Sequence, residues 1–205
     1  MSISDKLAAL NVERFKSFEN SYNKDNSKQA ILAFTGDVYQ GLDASSLSAD
    51  QILWAQDHVR ILSGFYGLLR PLDVMQPYRL EMGTKLKTAQ GKDLYEFWGT
   101  KISEKINEDL KKIKSEVIIN LASQEYCKAV DPKVLKGDVQ EIDFREDRDG
   151  KFKFISFSAK KARGYMTQYI VRNQIKDPEE IKGFDMEGYL YNPELSQDGT
   201  WTFTR

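Results

Sequence analysis

Apolar positions along the chain switch between helical and strand spacing several times, and the switches mark its elements. In residues 4–18, Leu7, Leu10, Val12 and Phe15 recur at roughly helical spacing, with Ser4 or Asp5 as the N-cap. Residues 20–28 are polar and read as a loop. Residues 30–34 form a short apolar run whose length does not separate strand from helix. A Thr35-Gly36-Asp37 turn then leads into a second short element that ends near Leu42. Ser48, followed by Asp50 and Gln51, opens a helix with Ile52, Ala55, Val59 and Leu62 on one face. That helix is expected to stop, turn over Gly64 and Gly67, and restart near Arg70-Pro71, since proline suits a first helical turn. Residues 78–82 alternate as a strand does, and Gly83 closes them.

In the second half, Leu94, Phe97, Trp98, Ile102, Ile106, Leu110 and Ile113 trace one long amphipathic helix over residues 92–113. Residues 116–121 are apolar on both faces, which places them centrally in a sheet. They run out into Asn120, Ser123, Gln124 and Glu125, polar groups at the carboxyl end of a strand, where ligands gather in α/β sheets. Residues 139–144 and 152–157 read as two strands joined by the charged turn 145–151. Ser158 is expected to cap a helix from Ala159 to about Ile175, and residues 183–205 are turn-rich with short aromatic strands at 188–191 and 200–204. There is no internal repeat, low-complexity stretch or linker. The pattern predicts one α+β (mixed α/β) domain over residues 1–205, with a central mixed sheet flanked by helices.

Composition narrows the function more than the fold. With 40% hydrophobic, 12% aromatic and 30% charged residues, the chain is ordinary folded protein, and its net charge of −1 makes any basic surface a local one. Cys127 is the only cysteine, which excludes an internal disulfide framework and fits a reducing compartment. No apolar run is long enough to span a bilayer, and residues 1–6 lack the charged-then-apolar order of a leader, so the expected location is the cytoplasm. His58 is the only histidine, and HExxH, CxxC, GxxxxGK[ST] and GxGxxG patterns are all missing. Neither a metal nor a cofactor is expected, and the commonest nucleotide enzymes are set aside.

Three groups of residues carry candidate chemistry. The first is the turn at Gly64 and Gly67, whose unblocked amides beside Arg70 suit a phosphate. Arg79 and Lys85 add positive charge there, and Tyr66 and Tyr78 offer rings that could stack on bases, while Phe65 reads as core. The second is Lys160-Lys161-Ala162-Arg163 at a helix start, where lysines oppose the macrodipole. Either a bound polyanion or a solvated face paired to local acids explains it. The third is Asn120, Ser123 and Glu125, either a polar pocket with Glu125 as acid or base, or simply a Ser123 helix cap.

Several longer motifs together resemble the YaaA family. They are Phe34-Thr35-Gly36-Asp37-Val38-Tyr39-Gln40-Gly41-Leu42, Leu62-Ser63-Gly64-Phe65-Tyr66-Gly67-Leu68-Leu69-Arg70-Pro71-Leu72-Asp73 and Gln76-Pro77-Tyr78-Arg79-Leu80-Glu81-Met82-Gly83. Lys92-Asp93-Leu94-Tyr95-Glu96-Phe97-Trp98, Asn120-Leu121-Ala122-Ser123-Gln124-Glu125-Tyr126 and Phe157-Ser158-Ala159-Lys160-Lys161-Ala162-Arg163-Gly164 complete the set. The resemblance implies a bacterial cytoplasmic protein of the hydrogen peroxide response that limits free iron and oxidative DNA damage. It also implies a DNA-binding protein with a helix-hairpin-helix element, which falls on Gly64 through Gly67. From charge, Arg70, Arg79, Lys85, Lys160, Lys161 and Arg163 would line a basic cleft. Family members start further upstream, with a strand and a Ser-Pro-Ala-Lys-Thr-Leu-type motif, so Met1-Ser2 reads as a shortened or late start and one sheet edge is expected to be uncovered.

The expected activity is therefore non-specific binding of duplex or branched DNA through its backbone, which a steep salt dependence would reveal. The alternative is an enzyme acting on a phosphate-bearing small molecule, with Ser123, Glu125 and Lys160 converging at the carboxyl edge of the sheet.

Overall fold

The computed structural model describes residues 3–205; Met1 and Ser2, read above as a late start, lie outside that range. Helix α1 (Asp5–Lys16) begins where its cap predicts, because the Ser4 hydroxyl accepts the Leu7 N–H and Asp5 lies in the first turn. After β1 (Lys28–Gln29), the ambiguous apolar run becomes the single-turn α2 (Ala30–Ala33). Helices α3 (Asp37–Leu42) and α4 (Ala49–His58) follow. Ser48 and Gln51 cap α4 reciprocally, each side chain accepting the other's backbone N–H.

α4 stops at His58, and β2 (Ile61–Ser63) and β3 (Gly67–Leu69) form an antiparallel hairpin with Leu62 opposite Leu68. β4 (Val74–Met75) pairs with β1. The long helix expected over 92–113 is two, α5 (Leu94–Trp98) and α6 (Lys101–Ile113), because Gly99 between them adopts φ 51°. The remaining elements are β5 (Val117–Asn120), α7 (Gln124–Cys127), β6 (Asp138–Asp147), β7 (Phe152–Lys153), α8 (Ser156–Asn173), β8 (Leu190–Tyr191) and β9 (Thr200–Thr204). The chain is thus an α+β fold with a mixed sheet flanked by helices. Its residues gather into two compact units, each stitched from three stretches of sequence.

The first unit holds the chain up to Ala33, Val59–Asp109 and Ser123–Leu135. Its core is Met82, Leu94, Ile102 and Ala129, with Leu62, Leu68, Trp98 and Tyr126 packed against them. Residues 78–82 do not form the expected strand. Side chains hold their backbone instead: buried Asn11 donates to the Arg79 carbonyl at 2.9 Å and accepts the Arg79 N–H at 2.8 Å. At its far end, Arg60 and buried Asp109 form an ion pair at 2.7 Å.

The second unit holds Phe34–His58, Leu110–Ala122 and Lys136–Arg205. Its five-stranded sheet runs β5-β6-β9-β8, with β7 also on β6. The β5/β6 and β6/β9 pairs are parallel, and the β8/β9 and β6/β7 pairs antiparallel. β5, expected at the centre, has β6 on one side and no strand on the other among the described residues. Its apolar run reflects partial burial of both faces, a pattern that does not distinguish centre from edge.

α8 covers one face of this sheet, packing Ala159, Ala162 and Met166 against Ile142, Phe144, Phe203 and Tyr189. It begins at Ser156, two residues before the expected Ser158 cap, and Ile155 occupies the cap position. α3 lies against α8 with backbone touching backbone. A Cβ at Gly164 would overlap the Val38 carbonyl oxygen, and one at Gly41 the Lys161 carbonyl oxygen.

Candidate nucleic-acid interface

The turn expected to be a helix-hairpin-helix is a β-hairpin, and its glycines serve internal packing. A Cβ at Gly64 would overlap the Leu80 carbonyl. Gly67 has φ 74°, and a Cβ there would lie 2.7 Å from the Trp98 ring. The Trp98 indole N–H donates to the Gly64 carbonyl at 3.1 Å, so one side chain clamps both glycines. The Tyr66 N–H is also occupied, donating at 2.9 Å to the hydroxyl of buried Ser63. What reads as an open anion-binding turn is a closed one.

The rings expected to stack on bases are likewise committed. Phe65 sits 5.7 Å from Phe15, 5.4 Å from Phe18, 4.9 Å from Tyr66 and 5.4 Å from Tyr78. The Tyr66 hydroxyl accepts the Gln76 N–H at 2.9 Å, and burial pushes its phenol up to about 12. The Tyr78 phenol is also raised by burial to about 12, and its hydroxyl meets Ser63 Oγ at 2.5 Å. Tyr78 thereby contributes a cross-link to the hairpin.

The basic residues nearby are mostly engaged too. Arg70 begins a tight turn rather than a helix: its N–H donates to Asp73 Oδ2 at 2.7 Å, and the Asp73 N–H returns to the Arg70 carbonyl. Pro71 fits the second position of that turn, where its ring sets φ. Arg79 pairs with Glu81 at 2.6 Å. Lys85 is exposed and makes no ion pair among the described residues.

Lys160, Lys161 and Arg163 belong to the second unit, on α8. The early start of α8 puts both lysines in its second turn, where the macrodipole has weakened. Lys160 is exposed and makes no ion pair among the described residues. Lys161 holds its ammonium 5.5 Å from the Phe157 ring. Arg163 departs from the expected patch: it is half-buried, and its Nε is shielded from solvent without a hydrogen-bond partner. Burial lowers its pKa, opposed by Asp143 and Glu141.

Sequence spacing missed what precedes these lysines. Lys151, Phe152, Lys153, Phe154 and Phe157 are all exposed, with Phe154 at 53% and Phe157 at 59%. The alternation of lysine and phenylalanine was its only signal, and it reads equally as half of a buried strand. Buried Glu146 anchors this region. Its carboxylate accepts from Arg148 at 2.6 Å, from Arg205 at 2.7 Å and from Tyr189 at 3.2 Å. The Ser158 hydroxyl, then Arg205, holds the carboxyl down to about 2. Ser158 therefore ties α8 to β6 instead of capping the helix.

The polar group expected as a pocket is locally satisfied. Asn120, in the second unit, donates to both Glu141 oxygens at 2.9 Å and accepts the Ala122 N–H at 3.0 Å. Ser123 and Glu125 are in the first unit. Ser123 stands at the N-cap of α7 without a side-chain cap bond, and the Glu125 carboxylate accepts the Gly83 N–H at 2.8 Å. Among the described residues, no three His, Cys, Asp or Glu side chains group so as to hold a metal ion. No described helix is long and apolar enough to cross a membrane.

The family model described as Peroxide stress protein YaaA matches residues 1–195. The chain belongs to the YaaA family. Among curated proteins, a UPF0246 protein of Saccharophagus degradans is 54% identical over 205 residues, covering 100% of this chain and 80% of the relative. A UPF0246 protein of Hahella chejuensis is 54% identical with the same coverage, and one of Azoarcus sp. is 52% identical over 209 residues.

The YaaA-like motifs have distinct roles in the fold. Residues 62–73 build the hairpin and the Arg70 turn, and residues 92–98 supply the Trp98 clamp. Gly41 and Gly164 belong to two other motifs and allow α3 and α8 to touch. In the motif of residues 157–164, Phe157 and Lys160 are the ones open to solvent.

Proposed function

We propose that this YaaA-family chain acts in the peroxide-stress response by binding DNA non-specifically through its phosphates, using the exposed lysines around the start of α8. The observation that carries this reading is that Lys151, Lys153 and Lys160 are exposed and make no ion pair among the described residues. In a chain of 30 basic and 31 acidic residues, three such lysines close together in sequence with no acidic residue between Lys151 and Lys161 make a local basic surface that suits an anion. Bound lysines would also displace ferrous iron from those phosphates, which would reduce hydroxyl-radical formation at the DNA. Gly64, Tyr66 and Gly67 are packed internally and are not assigned to this surface.

The test is a salt-titrated anisotropy assay with labelled duplex. Affinity should fall steeply with salt, and Lys160→Glu with Lys153→Glu should flatten the slope by about 2, because each lost phosphate contact removes about 0.9. An affinity indifferent to salt would reject the proposal.

A further inference from the structure

The run from Lys151 to Lys161 contains four lysines, three phenylalanines and no acidic residue. Phosphate binding accounts for the lysines alone. Phe152, Phe154 and Phe157 remain 40%, 53% and 59% exposed, although the core of the same unit holds Phe144, Phe184 and Phe203 almost completely buried. Phe157 keeps that exposure while Lys161 already sits over its ring.

Resting on the DNA-binding reading above, we infer that this run takes single-stranded nucleic acid, with unpaired bases stacked on Phe154 and Phe157 and phosphates against Lys151, Lys153 and Lys160. Phenylalanine has no hydrogen-bonding group with which to read a base edge, so its ring can offer only a face. In an intact duplex the base faces are already stacked on one another, and exposed rings would gain no partner there. In a single strand every base has a free π-face, and aromatic side chains between cations are the usual means of holding it. A lipid surface is the other partner that lysines and aromatics suit. α8 has no second apolar face to lie in a headgroup layer, because Ala159, Ala162 and Met166 are buried against the sheet.

Three labelled ligands of matched phosphate number separate the possibilities: oligothymidine, the same backbone without bases, and a hairpin duplex. The parent protein should bind oligothymidine more tightly than the abasic strand. Phe154→Leu with Phe157→Leu keeps apolar bulk but removes both rings, and should weaken oligothymidine binding about tenfold or more. Its affinity for the duplex and the abasic strand should not change. Equal binding of oligothymidine and abasic strand, or a double variant that binds oligothymidine normally, overturns the inference and leaves the phosphate reading standing. Failure to bind any of the three at low salt overturns both. Capture by phosphatidylserine vesicles that oligothymidine does not relieve also overturns the inference. Photocrosslinking of iodouracil oligomers to the unaltered protein needs no variant and should label the 151–161 peptide; label confined elsewhere overturns it too.

Discussion

The hairpin of Ile61–Leu69 and the run at 151–161 both place aromatic rings beside small residues, with basic residues within or next to them in sequence. In the hairpin, every feature that suggested a ligand has an internal partner: Trp98 covers Gly67, Ser63 takes the Tyr66 N–H, and four aromatic rings surround Phe65. In the run, Phe154 and Phe157 are exposed, and Lys151, Lys153 and Lys160 make no ion pair among the described residues. The contrast shows that residue types alone do not mark an interface; what counts is whether the fold has already used their binding capacity.

The hardest way to break the comparison is below the open run. Gly164→Ala forces a methyl into the Val38 carbonyl and should cost about 3–5 kcal/mol in urea unfolding, taking both stability and DNA binding with it. Gly67→Ala combines a left-handed φ with a clash on Trp98, and should cost about 2–4 kcal/mol. The decisive readout is its DNA affinity at a temperature where it is still folded, which should equal the parent's. A stable Gly67→Ala protein that had lost DNA would restore the hairpin as the interface.

The anchor of the open run comes next. Glu146→Gln leaves Arg148 and Arg205 without their shared carboxylate and should cost about 2 kcal/mol. Because Ser158 and Arg205 hold this carboxyl at about 2, below its ordinary 4.5, its stabilisation is complete above that ordinary value. It is lost as pH falls from about 4.5 through about 2. Thermal melts across that window should therefore converge for parent and variant at the acidic end.

The smallest stability effect belongs to Lys160→Ala, within about 0.5 kcal/mol in chemical denaturation. The same change should lower the salt slope of DNA binding by about 1. A stability loss comparable to that of Gly67→Ala would mean that Lys160 is part of the fold and not of its interface.

What could be read from the sequence was mostly local. The Ser4 and Ser48 caps lie within a few residues of what they bond, so α1 and α4 start where their patterns predict. The strands of the hairpin are three residues each and continue the helical spacing of α4, so periodicity ran straight across the change from helix to strand. β5 was legible as a strand but not as an edge, since its parallel partner β6 comes from a later stretch of chain. For the proposed interface, charge pointed to Lys160 and Lys161. The outward aim of Phe154 and Phe157 had no counterpart in the sequence, because alternating phenylalanines look the same whether a sheet covers them or not.

The interleaving of the two units bears on how the chain is made. β6 begins its parallel pairing with β9 at Glu141 and Thr200, so the centre of the mixed sheet waits for a strand made about 60 residues later. Until then β6 displays a bare edge beside the unclosed Phe144 face. A ribosome that stalls after residue 190 would release a chain whose first unit has all three of its stretches while its second is open to aggregation. In a cell under oxidative stress, when translation falters, this protein's supply would depend on how quickly β9 emerges.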